Sequence, residues 1–134
     1  MYFDIQKYVI ISLMKKRILV VDDEIPLARA LELKLTHEGL DVTLAYDGIE
    51  AIAALKKDYY DIVLLDLMMP QQDGFYVLEE VQRLKIKTNI IVSSNLSQPE
   101  DIDRATALGA VDYFVKSDTN LSDIVEKIKK YSEK

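Results

Sequence analysis

The chain has 134 residues, 49% of them apolar and 30% charged, with a formal net charge of −6. That length supports one domain with one sizeable core, and the acidic balance argues against a nucleic-acid module, which would carry a basic patch. The absence of cysteine excludes disulfides, thiolate zinc sites and cysteine nucleophiles, and no apolar run approaches the ~20 residues needed to span a membrane.

Residues 1–14, MYFDIQKYVIISLM, stand apart from the rest of the chain. They are apolar and β-branched, lack a clear period, and run into Lys15-Lys16-Arg17. A signal peptide would place its positive charge first and a small-residue cleavage site last. Met14 opens MKKRILVVDDE, which reads as a natural start of the domain. Residues 1–14 are therefore a leader of uncertain role, an accident of the start site or an extra element packed on the sheet. The domain proper is 15–134.

From there strands and helices alternate. Arg17 to Val21 is an apolar strand running into Asp22-Asp23-Glu24. Pro26 fits the first turn of a helix with Leu27, Ala30, Leu31 and Leu35 on one face, stopped by Gly39. Asp41 to Tyr46 alternates as a half-exposed strand, and Asp47-Gly48 leads into a helix through Ile49, Ile52, Ala53 and Leu55. His37 lies on a helix and is read as a surface residue without chemistry.

The third strand, 61–66, ends at Asp66. Its apolar run reads as a strand buried on both faces, and a carboxylate there is not a packing residue. A helix from about Phe75 to Leu84 comes next, with Val77, Leu78, Val81 and Leu84 inward. Asn89 to Ser94 is the fourth strand, and Pro99 opens a helix that Gly109 stops. Val111 to Val115 is the fifth strand, ending at Lys116. The last helix, about Leu121 to Tyr131, turns Leu121, Ile124, Val125 and Ile128 inward. Crossovers of this length require a parallel sheet with helices on both faces. The expected fold is a doubly wound α/β sheet of five strands.

In such a sheet, ligands bind at the carboxyl ends of the strands. Asp22 and Asp23, Asp66, Ser94 and Lys116 all arrive there. Taken singly, each has a bland explanation: acidic residues suit a helix N-terminus, and most lysines and serines are surface groups. Together, three carboxylates in one cleft repel unless a cation neutralises them. Oxygen donors with open positions suit Mg²⁺ better than zinc, with Mn²⁺ as a substitute. Lys116 and Ser94 then suit phosphoryl oxygens, and Asp66 is the candidate nucleophile for an acyl phosphate.

These stretches resemble a bacterial two-component response-regulator receiver domain of the single-domain, chemotaxis-regulator-like kind. The carrying motifs are RILVVDDE, DIVLLDLMMPQQDG, the serine closing IIVSS, and GAVDYFVK. Asp23 and Asp66 are 43 positions apart, Asp66 and Ser94 are 28, and Ser94 and Lys116 are 22, all within the family's pattern. The resemblance implies a flavodoxin-like strand order 2-1-3-4-5 and a cytoplasmic switch that catalyses only its own phosphorylation and dephosphorylation. Asp66 would accept a phosphoryl group from a histidine kinase, a histidine phosphotransfer protein or a small phosphodonor. Asp23, Asp66 and the Met68 carbonyl would bind Mg²⁺ directly, and Asp22 through water. Ser94 and Lys116 would contact the phosphoryl group, and the Tyr113 rotamer would follow Ser94. A downstream partner would read the fourth predicted helix, the fifth strand and the last helix. Since the chain stops soon after that helix, the signal is expected to leave through a partner protein or a relay.

Two departures stand out. Asn95 follows Ser94 where the family commonly has a small residue, and Ser117 follows Lys116 where it usually has proline in a cis peptide. A pseudo-receiver that binds partners without phosphorylation is the alternative reading. A Mg²⁺-dependent phosphatase would need a second aspartate two residues beyond the nucleophile, and Met68 there cannot transfer a proton. Met68 and Leu96 stand two residues beyond Asp66 and Ser94. Both are apolar, so neither can hold an attacking water, and a long-lived phosphorylated state is expected.

Overall fold

A computed structural model describes residues 4–133; residues 1–3 of the leader and Lys134 lie outside the described residues. The expected strands form β1 (Arg17–Val21), β2 (Asp41–Ala45), β3 (Ile62–Leu65), β4 (Asn89–Ser94) and β5 (Asp112–Val115). They alternate with α2 (Ile25–His37), α3 (Gly48–Lys57), α4 (Gly74–Arg83), α5 (Pro99–Ala107) and α6 (Leu121–Ser132), and the leader contributes α1 (Ile5–Leu13). All pairings are parallel and the order is β2-β1-β3-β4-β5, the expected flavodoxin-like arrangement.

The two-residue period of a strand explains the two layers of core. Ile18, Val20, Ile62 and Leu64 face α2 and α6, where they meet Ala28, Leu31, Leu35, Ile124, Val125 and Ile128. Leu19, Val21, Val63 and Leu65 face the other way, against Ala51, Ile52 and Leu55 of α3, Val77, Leu78 and Val81 of α4, and Ala105 of α5. Burying each large side chain in these layers contributes roughly 1.5–3 kcal/mol before the entropy of ordering it. Helices α2 and α5 end at Gly39 and Gly109, whose φ angles of 89° and 108° suit glycine alone.

Three details depart from the periodicity. In α2 the inward stripe is Ala28-Leu31-Leu35, while Leu27 and Ala30 flank it half-buried. In α3, Ile49 is 54% exposed and Ala53 is exposed. The cause is local: Gly48 presses on the Gln72 carbonyl, leaving no room for a side chain. The 48-51-52-55 face is thereby turned inward, and Ile49 rotates to solvent. The fifth strand starts at Asp112, leaving Val111 exposed, and is half-buried throughout because it lies at the sheet edge.

Among the described side chains, none of helix α1 belongs to either layer. Its start is held by Asp4, whose side chain accepts the Lys7 N–H at 3.1 Å. The side chains of 4–10 are all exposed, including Ile5, Tyr8, Val9 and Ile10. Among the described residues, no helix is long and apolar enough to cross a membrane. A nine-residue helix has little stability of its own without packing. Deleting residues 1–13 should therefore change unfolding free energy by less than about 0.5 kcal/mol. Denaturant unfolding of the two forms checks this; a loss above ~2 kcal/mol would mean that a large apolar side chain of the leader is buried after all.

Candidate functional site

Register decides which carboxylates meet. Val21 of β1 lies opposite Leu65 of β3, so the next residues, Asp22 and Asp66, leave adjacent strands side by side. The ladder extends one step further: the Asp66 N–H bonds the Val21 carbonyl at 2.9 Å, and the Asp22 N–H bonds the Ala45 carbonyl at 3.0 Å. Both aspartates are buried, while Asp23, one residue on, is exposed. Each of the three can offer an oxygen to a shared point, the oxygens lying within 4.8 Å of one another. This is a set of hard oxygen donors, the chemistry that magnesium prefers.

Opposite them comes Lys116. Ser94 of β4 pairs with Val115 of β5, so Lys116 leaves the sheet just past Ser94. Its Nζ lies 2.8 Å from Asp22 Oδ2, 3.3 Å from Asp66 Oδ2 and 3.7 Å from Glu24 Oε1. The Lys116–Ser117 peptide is trans, and a short 3₁₀ turn over Lys116–Asp118 continues the chain. Glu24 was not singled out in the sequence; its place directly after Asp22-Asp23 was the available signal.

Backbone donors complete the orientation. The Glu24 N–H holds Asp22 Oδ1 at 2.9 Å and the Met68 N–H holds Asp66 Oδ1 at 3.1 Å. The Ser94 Oγ accepts the Leu96 N–H at 3.2 Å, and the Ser94 hydroxyl also interacts with the Tyr113 side chain. The Tyr113 hydroxyl donates to the Leu96 carbonyl at 2.6 Å, so Tyr113, Leu96 and Ser94 form one linked chain. Met68 and Leu96 line a single surface hollow with Asp23 and Phe75. Asp22, Asp23, Asp66, Ser94 and Lys116 thus stand at the same strand-end rim, with Tyr113 reaching it from within β5 through Leu96.

The loop after Asp66 is held closely. The Gly48 N–H bonds the Gln71 carbonyl at 3.0 Å and the Gly74 N–H bonds the Leu67 carbonyl at 3.1 Å. At Gly74 a β-carbon would collide with the Asp66 carbonyl and lie 2.7 Å from Leu67 Cα. Asp73 caps α4 by accepting the Tyr76 N–H at 3.0 Å. Beyond it, the Arg104 guanidinium of α5 stacks on the Phe75 ring at 3.9 Å and reaches Glu79 at 3.5 Å.

Charge is unevenly shared within the cluster. Burial raises the Asp66 pKa to about 6, Asp22 adds to the rise, and Lys116 and the Met68 N–H oppose it. Burial alone would lower the Lys116 pKa, but the hydrogen bond to Asp22 and the charges of Asp66, Asp22 and Glu24 outweigh it and raise it. One ammonium serves two buried carboxylates, and Asp22 holds the shorter contact. Burial, with the Asp101 charge, also raises the Tyr113 pKa, while Ser94 works against the rise.

The folded Asp66 carboxyl therefore binds its proton more tightly than the unfolded one, whose value is 3.8. Between those values the folded state holds more protons, so stability falls as pH rises from about 4 to about 6. Asp66→Asn should remove this penalty. In metal-free buffer at pH 7.5 it should gain about 1–2 kcal/mol, a figure discounted for solvent access, and the gain should vanish near pH 4. Melting curves at both pH values are the check. A loss at pH 7.5, or an equal gain at both, would contradict this charge balance.

Residues 18–129 match the family described as the response regulator receiver domain. Over 102 residues the chain is 42% identical to a probable transcriptional regulator, ycf27, of Porphyridium aerugineum. That match covers 76% of this chain and only 42% of the relative's length. Among solved structures, a Francisella response-regulator receiver domain superposes with a TM-score of 0.83 at 28% identity, covering 89% of this chain and 98% of that one. The Thermotoga maritima response regulator TrrA, solved with Mg²⁺-BeF, is 35% identical with a TM-score of 0.74, covering 87% and 98%. The acidic triad is of the type that binds Mg²⁺ in receivers. Sheet order, strand-end carboxylates and these matches agree, and the chain belongs to the response regulator receiver domain family.

Proposed function

We propose that this domain is a phosphorylation-controlled switch in two-component signalling, with Asp66 as the acceptor. The observation that carries the reading is the arrangement of Asp22, Asp23 and Asp66 within 4.8 Å, facing Lys116. An Asp66 carboxylate oxygen forms a bond to phosphorus as the bond from phosphorus to its donor breaks. The donor is a phosphohistidine of a kinase or phosphotransfer protein, or a small acyl phosphate. Asp23 and Asp66, with the Met68 carbonyl, would hold Mg²⁺ or Mn²⁺ directly, and Asp22 through water. The ion supplies positive charge against the phosphoryl oxygens. Lys116 adds a fixed ammonium, and the Ser94 hydroxyl would turn its proton from Tyr113 to the same oxygens.

The readout starts at Ser94. Engaging its hydroxyl with a phosphoryl oxygen pulls on the Leu96 N–H, and the Leu96 carbonyl holds the Tyr113 hydroxyl. A local bond change is thereby passed to α5, β5 and α6, the surface assigned here to the downstream partner.

Incubation with acetyl phosphate and Mg²⁺, followed by intact mass, tests the assignment. The parent should gain one phosphoryl group, and Asp66→Asn should gain none. Asp23→Ala should lose at least about 10²-fold in rate, the scale of removing an electrostatic stabiliser. No mass gain in the parent would favour a partner-binding module that is not phosphorylated. Phosphorylation of Asp23→Ala at the parental rate without Mg²⁺ would overturn the metal assignment.

The apolar pair at the hollow sets the expected lifetime. Neither Met68 nor Leu96 can hold a water in line behind the phosphorus, and both shield it. The Met68→Asn/Leu96→Glu double variant should lose its phosphoryl group about tenfold faster than the parent. Paired autodephosphorylation rates decide this; equal rates would mean that water placement does not limit the lifetime.

A further inference from the structure

Met68 is unusual in where its sulfur stands. It is 55% exposed, whereas Met69 beside it is only 8% exposed. Its side chain borders the hollow shared with Asp23 and Leu96, and its N–H holds the Asp66 carboxylate. The chain has no cysteine, so thioethers are the only sulfur open to oxidation. The other exposed methionine among the described residues, Met14, belongs to the leader and is absent from this hollow.

Resting on the acceptor role assigned to Asp66, we propose that Met68 is an oxidation site whose conversion to the sulfoxide shortens the life of the phosphorylated state. The co-reactant is a peroxide. A sulfur lone pair attacks one peroxide oxygen and the O–O bond breaks. The sulfur, oxidised by two electrons, keeps that oxygen, and hydrogen peroxide's other oxygen leaves as water. The product carries a strong hydrogen-bond acceptor where an apolar cover stood. A water held by that oxygen lies at the mouth of the acceptor site. Attack of water on phosphorus then breaks its bond to Asp66, giving inorganic phosphate and the free carboxylate. The sulfoxide orients water but does not remove its proton. The gain is therefore about threefold to tenfold, below the ~10²-fold or more that a positioned base supplies.

The test treats the full chain with hydrogen peroxide, removes the oxidant, and then phosphorylates with acetyl phosphate and Mg²⁺. Peptide mapping locates the sulfoxide and intact mass follows decay. Modification at Met68 with decay accelerated about threefold to tenfold is the expected result. Met68→Leu should show no response to the same treatment, and Met68→Gln should decay faster than the parent without any oxidant. Peroxide that spares Met68, an oxidised Met68 with unchanged decay, or Met68→Leu accelerating as the parent does would each overturn the inference. Met68→Gln decaying no faster would overturn it too, even if peroxide unfolds the chain through Met69. An untreated parent that takes up no phosphoryl group would remove the acceptor reading and this inference with it. Uptake with a decay that ignores oxidation removes this inference alone.

Discussion

Two buried carboxylates share one ammonium, and most of the structure serves that arrangement. Asp22 and Asp66 can meet only because β1 and β3 are neighbours in register. Lys116 can reach both only because β5 ends on the same rim. Desolvating a charge is costly, and a buried pair offsets that cost only when geometry and hydrogen bonds are complete. Asp22 meets this condition better, with the shorter lysine contact and the Glu24 N–H. Asp66 has the longer lysine contact, and burial holds the pKa of its carboxyl up at about 6.

Much of this was legible in the residues. Strand boundaries at β1 and β4 were read correctly, since continuous apolar runs between polar turns leave little ambiguity. Asp22, Asp23, Asp66, Ser94 and Lys116 stood out because each ends such a run or closely follows it, whereas Tyr113, inside β5, came only from the family resemblance. Helix phase was harder. Periodicity locates an apolar stripe but not its rotation, and at α3 a backbone contact between Gly48 and Gln72 chose the face. Glu24 was missed because an acidic residue beside two aspartates reads as helix-start chemistry. That lysine would already sit between two carboxylates was equally invisible, since it depends on distances across three strands.

The connection from site to surface is short. Ser94, Leu96 and Tyr113 are joined by two hydrogen bonds, one from the Leu96 N–H to Ser94 Oγ and one from the Tyr113 hydroxyl to the Leu96 carbonyl. In the proposed switch such a link would transmit position rather than charge, because moving Leu96 moves both partners. Arg104 adds a counterweight: stacked on Phe75 and paired with Glu79, it ties α5 to α4. A shift of α5 must carry the guanidinium along or lift it from the ring.

The loop that leaves Asp66 is anchored at both ends by main chain. Gly48 meets Gln71 and Gln72 on one side, and Gly74 meets Asp66 and Leu67 on the other. Neither anchor involves the side chain at position 68. The path of the loop, and with it the aim of Asp66, is therefore insensitive to what that position carries. Residues there can be exchanged to alter chemistry above the carboxylate without re-aiming it. Under the proposed function, duration and architecture would be separable in this chain, one resting on a few exposed side chains and the other on backbone contacts at Gly48 and Gly74 that leave no room for a side chain.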